Sequence, residues 1–153
     1  MKLSNNLSLN EVIKSNTATR KGIDNSPTKE HLQNLEAVAK NIFQPIREYF
    51  FVPIGISSGY RSEALNLVIG GSRTSQHCKG EALDLDADIF GKITNAQIFE
   101  FIKNNLDFDQ MIWEFGTEKE PNWIHVSFTT KRPNRKQILK AKKVYGKTKY
   151  SNL

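Results

Sequence analysis

Apolar positions recur at helical spacing from residue 28 to residue 46. Leu32, Leu35, Ala39, Ile42, Phe43 and Ile46 form one stripe, which predicts a helix with that stripe against the core. Thr28 or Ser26 is the candidate cap, and Glu30 falls in the first turn. Pro45 should kink the helix near its end, because proline removes a backbone donor. Residues 8–15 predict a short first helix, and the polar stretch 16–25 reads as a loop. His31 stands at the helix start and reads as a solvent-facing or capping residue.

The period then shortens. Residues 52–58 read as a strand, followed by a turn at 59–62 and a short helix over roughly 62–68. The Gly- and Ser-rich run 70–75 is a flexible loop. Leu83-Asp84-Leu85-Asp86 alternates apolar and acidic, as a half-buried strand does. Thr94 caps a helix over about 95–105, with Ile98, Phe101 and Ile102 inward. Asp109–Phe115 and Trp123–Thr129 are two further strands, and Pro133–Val144 predicts a basic C-terminal helix. The order of elements predicts an α+β fold, with a small antiparallel sheet flanked by helices.

Composition adds three constraints. At 153 residues the chain is expected to form one domain with a sizeable core, and to act as a monomer. Its single cysteine, Cys78, excludes an internal disulfide. No apolar run reaches the roughly 20 residues that span a bilayer. No apolar stretch follows Met1 either, so the expectation is synthesis in the cytoplasm without a signal peptide. The net charge of +6 belongs to the tail: residues 131–153 carry nine of the 22 basic residues and none of the 16 acidic ones. Such a tail can hold an anionic cell-wall polymer or membrane surface, or simply aid solubility. Nucleic-acid binding is the weaker reading, since nothing in the core supports it.

The candidate chemistry lies in two segments that hold two of the chain's three histidines. His77 and Asp84 fall in Ser75-Gln76-His77-Cys78-Lys79-Gly80-Glu81-Ala82-Leu83-Asp84, and His125 in Trp123-Ile124-His125. Two imidazoles and a carboxylate make a three-ligand set with a fourth position left for water, the design of a catalytic zinc site. Strand parity puts Asp84 and Asp86 on one face, opposite Leu83 and Leu85. It likewise puts Trp123, His125 and Ser127 opposite Ile124, Val126 and Phe128. Neighbouring strands can thus present Asp84 and His125 side by side, with His77 supplied from the preceding loop and Gly80 allowing a tight turn. The alternative is a loop histidine and a core histidine with no metal.

The pattern Ser75-x-His77-x-x-Gly80-x-Ala82-x-Asp84, followed by Trp123-x-His125, resembles the signature of the D-Ala-D-Ala carboxypeptidase family of zinc peptidases. That family includes L-alanyl-D-glutamate endopeptidases and has a hedgehog/DD-peptidase-like fold. Ser58-Gly59-Tyr60-Arg61-Ser62 is similar to its upstream arginine motif, and residues 22–27 are similar to its compact phage endolysin-like branch. The similarity runs from about residue 7 to about 130, so residues 1–130 are the expected catalytic domain. Residues 131–153 are then a basic helix and tail, in the same domain or as an appendage.

The resemblance implies zinc ligands at His77, Asp84 and His125, and a substrate anchor or transition-state stabiliser at Arg61. It implies a zinc-activated water as nucleophile and a glutamate as general base. Many members have an acidic residue three positions before the last histidine. Here that position is Asn122, which cannot act as a base. Glu114 is the preferred candidate, because Trp113 and Phe115 should raise its pKa by desolvation. Glu118 and Glu120 in the following loop are the alternatives. Ser75, Gln76 and Trp123 are expected to line the substrate groove, Asp86 to hydrogen-bond a ligand, and Cys78 to be a small buried thiol rather than a ligand.

The implied activity is cleavage of peptidoglycan stem peptides by an endolysin-type L-alanyl-D-glutamate or D,D-endopeptidase that reaches the wall after release. A D,D-carboxypeptidase or dipeptidase is the second reading. A catalytically disabled zinc-containing wall-binding module is the third, because of Asn122.

Overall fold

A computed structural model describes residues 1–153. The chain opens with a two-stranded ribbon, β1 Lys2–Ser4 and β2 Leu7–Ser8, that runs into α1 Leu9–Ile13. Residues expected to be a loop then form a helix, α2 Asn16–Lys21. Both of its ends are specified locally. The Ser15 side chain accepts from the Ala18 N–H, and Gly22 closes the helix in the left-handed region at φ 63°.

Helix α3, Lys29–Val38, starts at Thr28, whose side chain accepts from the His31 N–H. Residues Ala39–Phe43 widen into a π turn before α4, Gln44–Phe50. Pro45 explains the widening. It has no N–H for the Asn41 carbonyl and its ring crowds that carbonyl, so the bonding slips by one residue and Gln44 N donates to Ala39 O. The expected kink is thus a π turn placed just ahead of the proline.

The main sheet has six strands: β3 Gly55–Ser58, β4 Ala82–Asp86, β5 Gln110–Glu114, β6 Trp123–Ser127, β7 Gln137–Val144 and β8 Lys147–Asn152. Their order across the sheet is β3-β4-β6-β5-β7-β8. Helix α5, Glu63–Val68, follows β3 and is capped by Ser62. Helix α6, Asn95–Asn105, follows β4 and is capped by Thr94 in a reciprocal capping box with Gln97.

The C-terminal helix expected at 133–144 is absent. Residues 137–144 of that stretch are β7, which joins β8 through a turn at Tyr145 and Gly146 and runs parallel to β5. Its Gln, Leu, Lys and Ala residues favour a helix by propensity. The open edge of β5 overrides that preference, because pairing satisfies a whole row of backbone groups. The sheet is therefore antiparallel except for this pair, and residues 131–153 complete it rather than hang from it.

The sheet has a core face and a site face. Leu83, Leu85, Ile124, Val126, Met111 and Trp113 point to the core face and pack with Leu35, Val38, Ile42, Ile46, Ile98, Phe99 and Ile102. Each such buried side chain contributes about 1.5–3 kcal/mol. The helices cover that face and leave the other to line a groove. No helix is long and apolar enough to cross a membrane.

Candidate metal centre and catalytic groove

The turn that follows β3 is fixed from the N-terminal segment. Asn25 Nδ2 donates to the carbonyls of Ile13 (2.8 Å) and Tyr60 (3.1 Å), and its Oδ1 accepts from Ser62 N (2.7 Å). At Gly59 a Cβ would come within 2.4 Å of the Val12 carbonyl, so only glycine permits this approach. The Gly59 carbonyl then accepts from His77 Nδ1 at 2.6 Å. A carbonyl can only accept, so the His77 proton is on Nδ1 and the Nε2 lone pair is free.

His77 is 2% exposed, in a single 3-10 turn over Gln76–Lys79. The Ser75 side chain caps this turn by accepting from His77 N. Gly80 ends it at φ 72°, where a Cβ would lie 2.4 Å from the His31 carbonyl. The loop that carries His77 is therefore pressed against the start of α3. His31 is half-buried: its backbone N–H donates to the Thr28 cap, and its Nδ1 lies 3.0 Å from the Tyr60 hydroxyl.

Asp84 and His125 are register partners across β4 and β6. Asp84 Oδ1 lies 3.2 Å from His77 Nε2 and 3.1 Å from His125 Nδ1, and the two ring nitrogens are 3.2 Å apart. A tetrahedral ion with bonds of about 2.1 Å needs donor atoms about 3.4 Å apart. The near-equilateral triangle matches that spacing, so the three residues fit a metal ion. Burial alone would raise the Asp84 pKa, but the two imidazoles override it and hold the carboxyl well below the usual range. The expected bond from Asp86 to a ligand is not made. β4 ends at Asp86, and its Oδ1 instead accepts from Asp88 N and Asn95 Nδ2.

Glu114 faces the same groove. It pairs with Trp123 across β5 and β6, which makes it the diagonal neighbour of His125. Such neighbours are about 7–8 Å apart at Cα, within reach of a long side chain. Glu114 is 8% exposed. Desolvation pushes its pKa up to about 7, with the His125 charge opposing and the Asp84 charge adding to the rise. Neither alternative glutamate lines the groove. Glu118 is 76% exposed and paired to Lys140 and Lys142, while Glu120 accepts from Ala96 N at the start of α6. Asn122 is exposed and outside the groove, with its backbone N–H bonded to Glu114 O.

Arg61 lines the groove and makes no ion pair. Its buried Nε has no partner, although its backbone N–H donates to His77 O at 3.2 Å. Cys78 is half-buried on the groove wall, outside the donor triangle. Burial raises its thiol pKa, and the Arg61 charge opposes that rise. Trp123 forms part of the wall with Phe115, ring centroids 5.4 Å apart. Ser75 and Gln76 also line it.

Two parts of the groove escaped the sequence reading. Leu139, Thr148 and Tyr150 of the terminal hairpin extend its wall. Burial raises the Tyr150 hydroxyl pKa, and so do the charges of Glu114 and Asp84. The second part is the pair Arg132 and Arg135, held with Gln76 by the fully buried Asp109 behind the wall. No local spacing signals it, because its partners lie 23 to 33 positions away.

Residues 5–127 match the family described as Peptidase M15. A search of curated proteins returns no match. Among solved structures, the Serratia marcescens L-Ala D-Glu endopeptidase ChiX is similar at 23% identity, covering 70% of this chain and 92% of that one, with a TM-score of 0.39. With 123 consecutive positions of its sequence inside the match, this chain belongs to the M15 peptidase family.

Proposed function

We propose that this peptidase hydrolyses the stem peptides of peptidoglycan as an endopeptidase, with zinc held by His77, Asp84 and His125. The observation that carries the reading is the donor triangle, 3.1–3.2 Å on each side, with the His77 tautomer fixed by Gly59. His77, Asp84 and His125 would hold the zinc through two imidazoles and one carboxylate, and the ion would supply the acidification of water and the polarisation of a carbonyl.

The remaining work falls to the chain's own groups. Glu114 takes the proton of the attacking water and passes it to the leaving amine. A carboxyl with a pKa of about 7 is suited to both directions of that transfer, and a bound cation would lower the value from there. Arg61, whose guanidinium is not used up in an ion pair, anchors a carboxylate or steadies the developing oxyanion. Trp123, Ser75 and Gln76 shape the substrate's path along the wall.

The groove has a volume of about 1800 Å³, above the range of a small-ligand pocket. That space favours a peptide running through over a terminal residue alone, and so an endopeptidase over a carboxypeptidase. The L-alanyl-D-glutamate bond and a D,D bond are the candidate cleavage points. The basic β7–β8 hairpin would hold the enzyme on an anionic wall or membrane surface once it reaches one.

Purified peptidoglycan, digested by the chelated and the zinc-restored protein, tests the reading by mass analysis of the fragments. Internal stem-peptide cuts that vanish with chelator and return with zinc are expected. Cleavage that persists in chelator would remove the metal from the mechanism, and loss of terminal residues alone would make it a carboxypeptidase.

A further inference from the structure

Asp109 precedes β5 and is 0% exposed, yet six donors converge on its carboxylate. They are two terminal nitrogens of Arg132, Nε, Nη2 and the backbone N–H of Arg135, and Nε2 of Gln76. Gln76 also donates to Glu81 Oε2, and Glu81 accepts from the Thr129 hydroxyl as well. Both acids that balance the arginines are thus buried.

The arginine side chains are 46% and 48% exposed, and both line the groove that holds the donor triangle. The groove therefore meets both guanidiniums, with Asp109 wholly behind them and Glu81 only 5% exposed at its wall. Each guanidinium has five N–H donors. Arg132 Nε and Arg135 Nη1 have no partner within the protein, so donors remain for a ligand. The forks are already fixed by Asp109, so little further ordering is lost when they bind.

Position gives the distance. Asp109 lies three residues before Ile112, which is the register partner of His125. At about 3.4 Å per residue, the Asp109 backbone that holds the arginine pair stands about 10 Å along the chain from the position opposite His125. An extended peptide covers that length in two or three residues. Both arginines also lie beyond residue 127, where the family match ends.

We propose that Arg132 and Arg135, held by Asp109, form a carboxylate subsite that takes a free carboxylate of the substrate two or three residues from the cut bond. The proposal rests on the endopeptidase reading above and names the substrate group that the groove selects. It makes the two arginines specificity residues of the C-terminal segment, distinct from Arg61 on the opposite side of His77 in the sequence.

The test uses two stem-peptide analogues, identical except that the terminal carboxylate two or three residues past the cut bond is free in one and an amide in the other. The zinc-loaded full chain should favour the free acid by about tenfold in kcat/KM, through KM, the size expected for a half-exposed bidentate pair. R132Q and R135Q should each shrink that ratio toward one, and R132K should recover part of it. A clamp with a purely structural role would lower both substrates in proportion and leave the ratio unchanged, which would overturn the proposal. So would a wild-type chain with no preference.

Equilibrium binding of the same peptides to E114Q separates this proposal from the hydrolytic reading. A free-acid preference in binding that R132Q abolishes, without turnover in the wild type, would uphold the subsite and sink the hydrolysis. Turnover without the preference would do the reverse.

Discussion

Asp84 and His125 face each other as register partners on β4 and β6, and their Oδ1 and Nδ1 atoms come within 3.1 Å. The strand pair alone sets two corners of the donor triangle. Each corner is braced by the core-facing residues on either side, Leu83 and Leu85 on one strand, Ile124 and Val126 on the other. The third corner, His77, is supplied by a turn and oriented by a single carbonyl.

That construction makes zinc affinity depend on all three residues together. Zinc at 100 times its dissociation constant should stabilise the folded chain by about 3 kcal/mol. H77A, D84N or H125A should each remove most of that gain and lower bound zinc well below one per chain. Thermal melting with and without zinc, beside metal analysis of the purified variants, reads both quantities. An undiminished zinc-induced shift in D84N would take Asp84 out of the ligand set.

Replacement of Glu114 by glutamine separates catalysis from metal binding. E114Q should keep its zinc and lose about 10²–10⁴ in kcat, the usual contribution of a positioned acid–base group. Turnover at the wild-type rate would reassign the base.

The same variant has a pH signature in the metal-free protein. Glu114 titrates at about 7 when folded, against 4.5 for an ordinary glutamate. Between those values the folded chain holds a proton that the unfolded chain has released, so this contribution to stability is lost as pH rises through 7. The loss is about 3 kcal/mol at most. E114Q carries no charge there, so its melting temperature relative to wild type should climb from pH 4.5 to pH 7 and then level off. A constant difference across that range would mean that Glu114 is solvated.

Parity made the strands legible. The alternation in 83–87 and 123–128 was enough to predict which residues share the site face, and register then placed Asp84 against His125. The helix caps at Thr28 and Thr94 were legible for the same local reason. What escaped depends on partners far away in the chain. The stretch 137–144 has helix-forming composition and becomes a strand only because β5 offers an edge. Asp109 looks like any aspartate at the start of a strand until Arg132 and Arg135 return to it. α2 is a different case: Ser15 and Gly22 did mark its ends, but its polar composition masked them.

Gly80 offers a test of how tightly the His77 turn is held. A side chain there would meet the His31 carbonyl at 2.4 Å and sit at φ 72° as well. G80A should therefore cost about 1–3 kcal/mol and weaken zinc binding by displacing His77. G22A is the control, since a Cβ at Gly22 has the same positive φ but meets nothing within 4 Å. G22A should lower the melting temperature less and leave zinc affinity at the wild-type value. Equal effects of the two changes would remove the steric argument at Gly80.

Deletion of residues 131–153 distinguishes a detachable tail from a structural edge. A chain ending at Thr130 loses β7 and β8, leaves the edge of β5 unpaired and strips Arg132 and Arg135 from a fully buried carboxylate. Losing two strands of the sheet together with the five charge-assisted bonds from Arg132 and Arg135 to Asp109 removes a large share of the stability of a domain this size. The truncated chain should therefore lose its cooperative melting transition or melt far below the full chain, at low salt and high salt alike. A basic appendage would behave differently: its removal would leave the melting curve in place and change only the salt-dependent adhesion to anionic surfaces. R132Q should fall between, because Arg135 still reaches Asp109 through Nε and Nη2. Melting curves of the full chain, R132Q and the truncation, taken side by side, would decide whether the terminal hairpin is part of the peptidase fold.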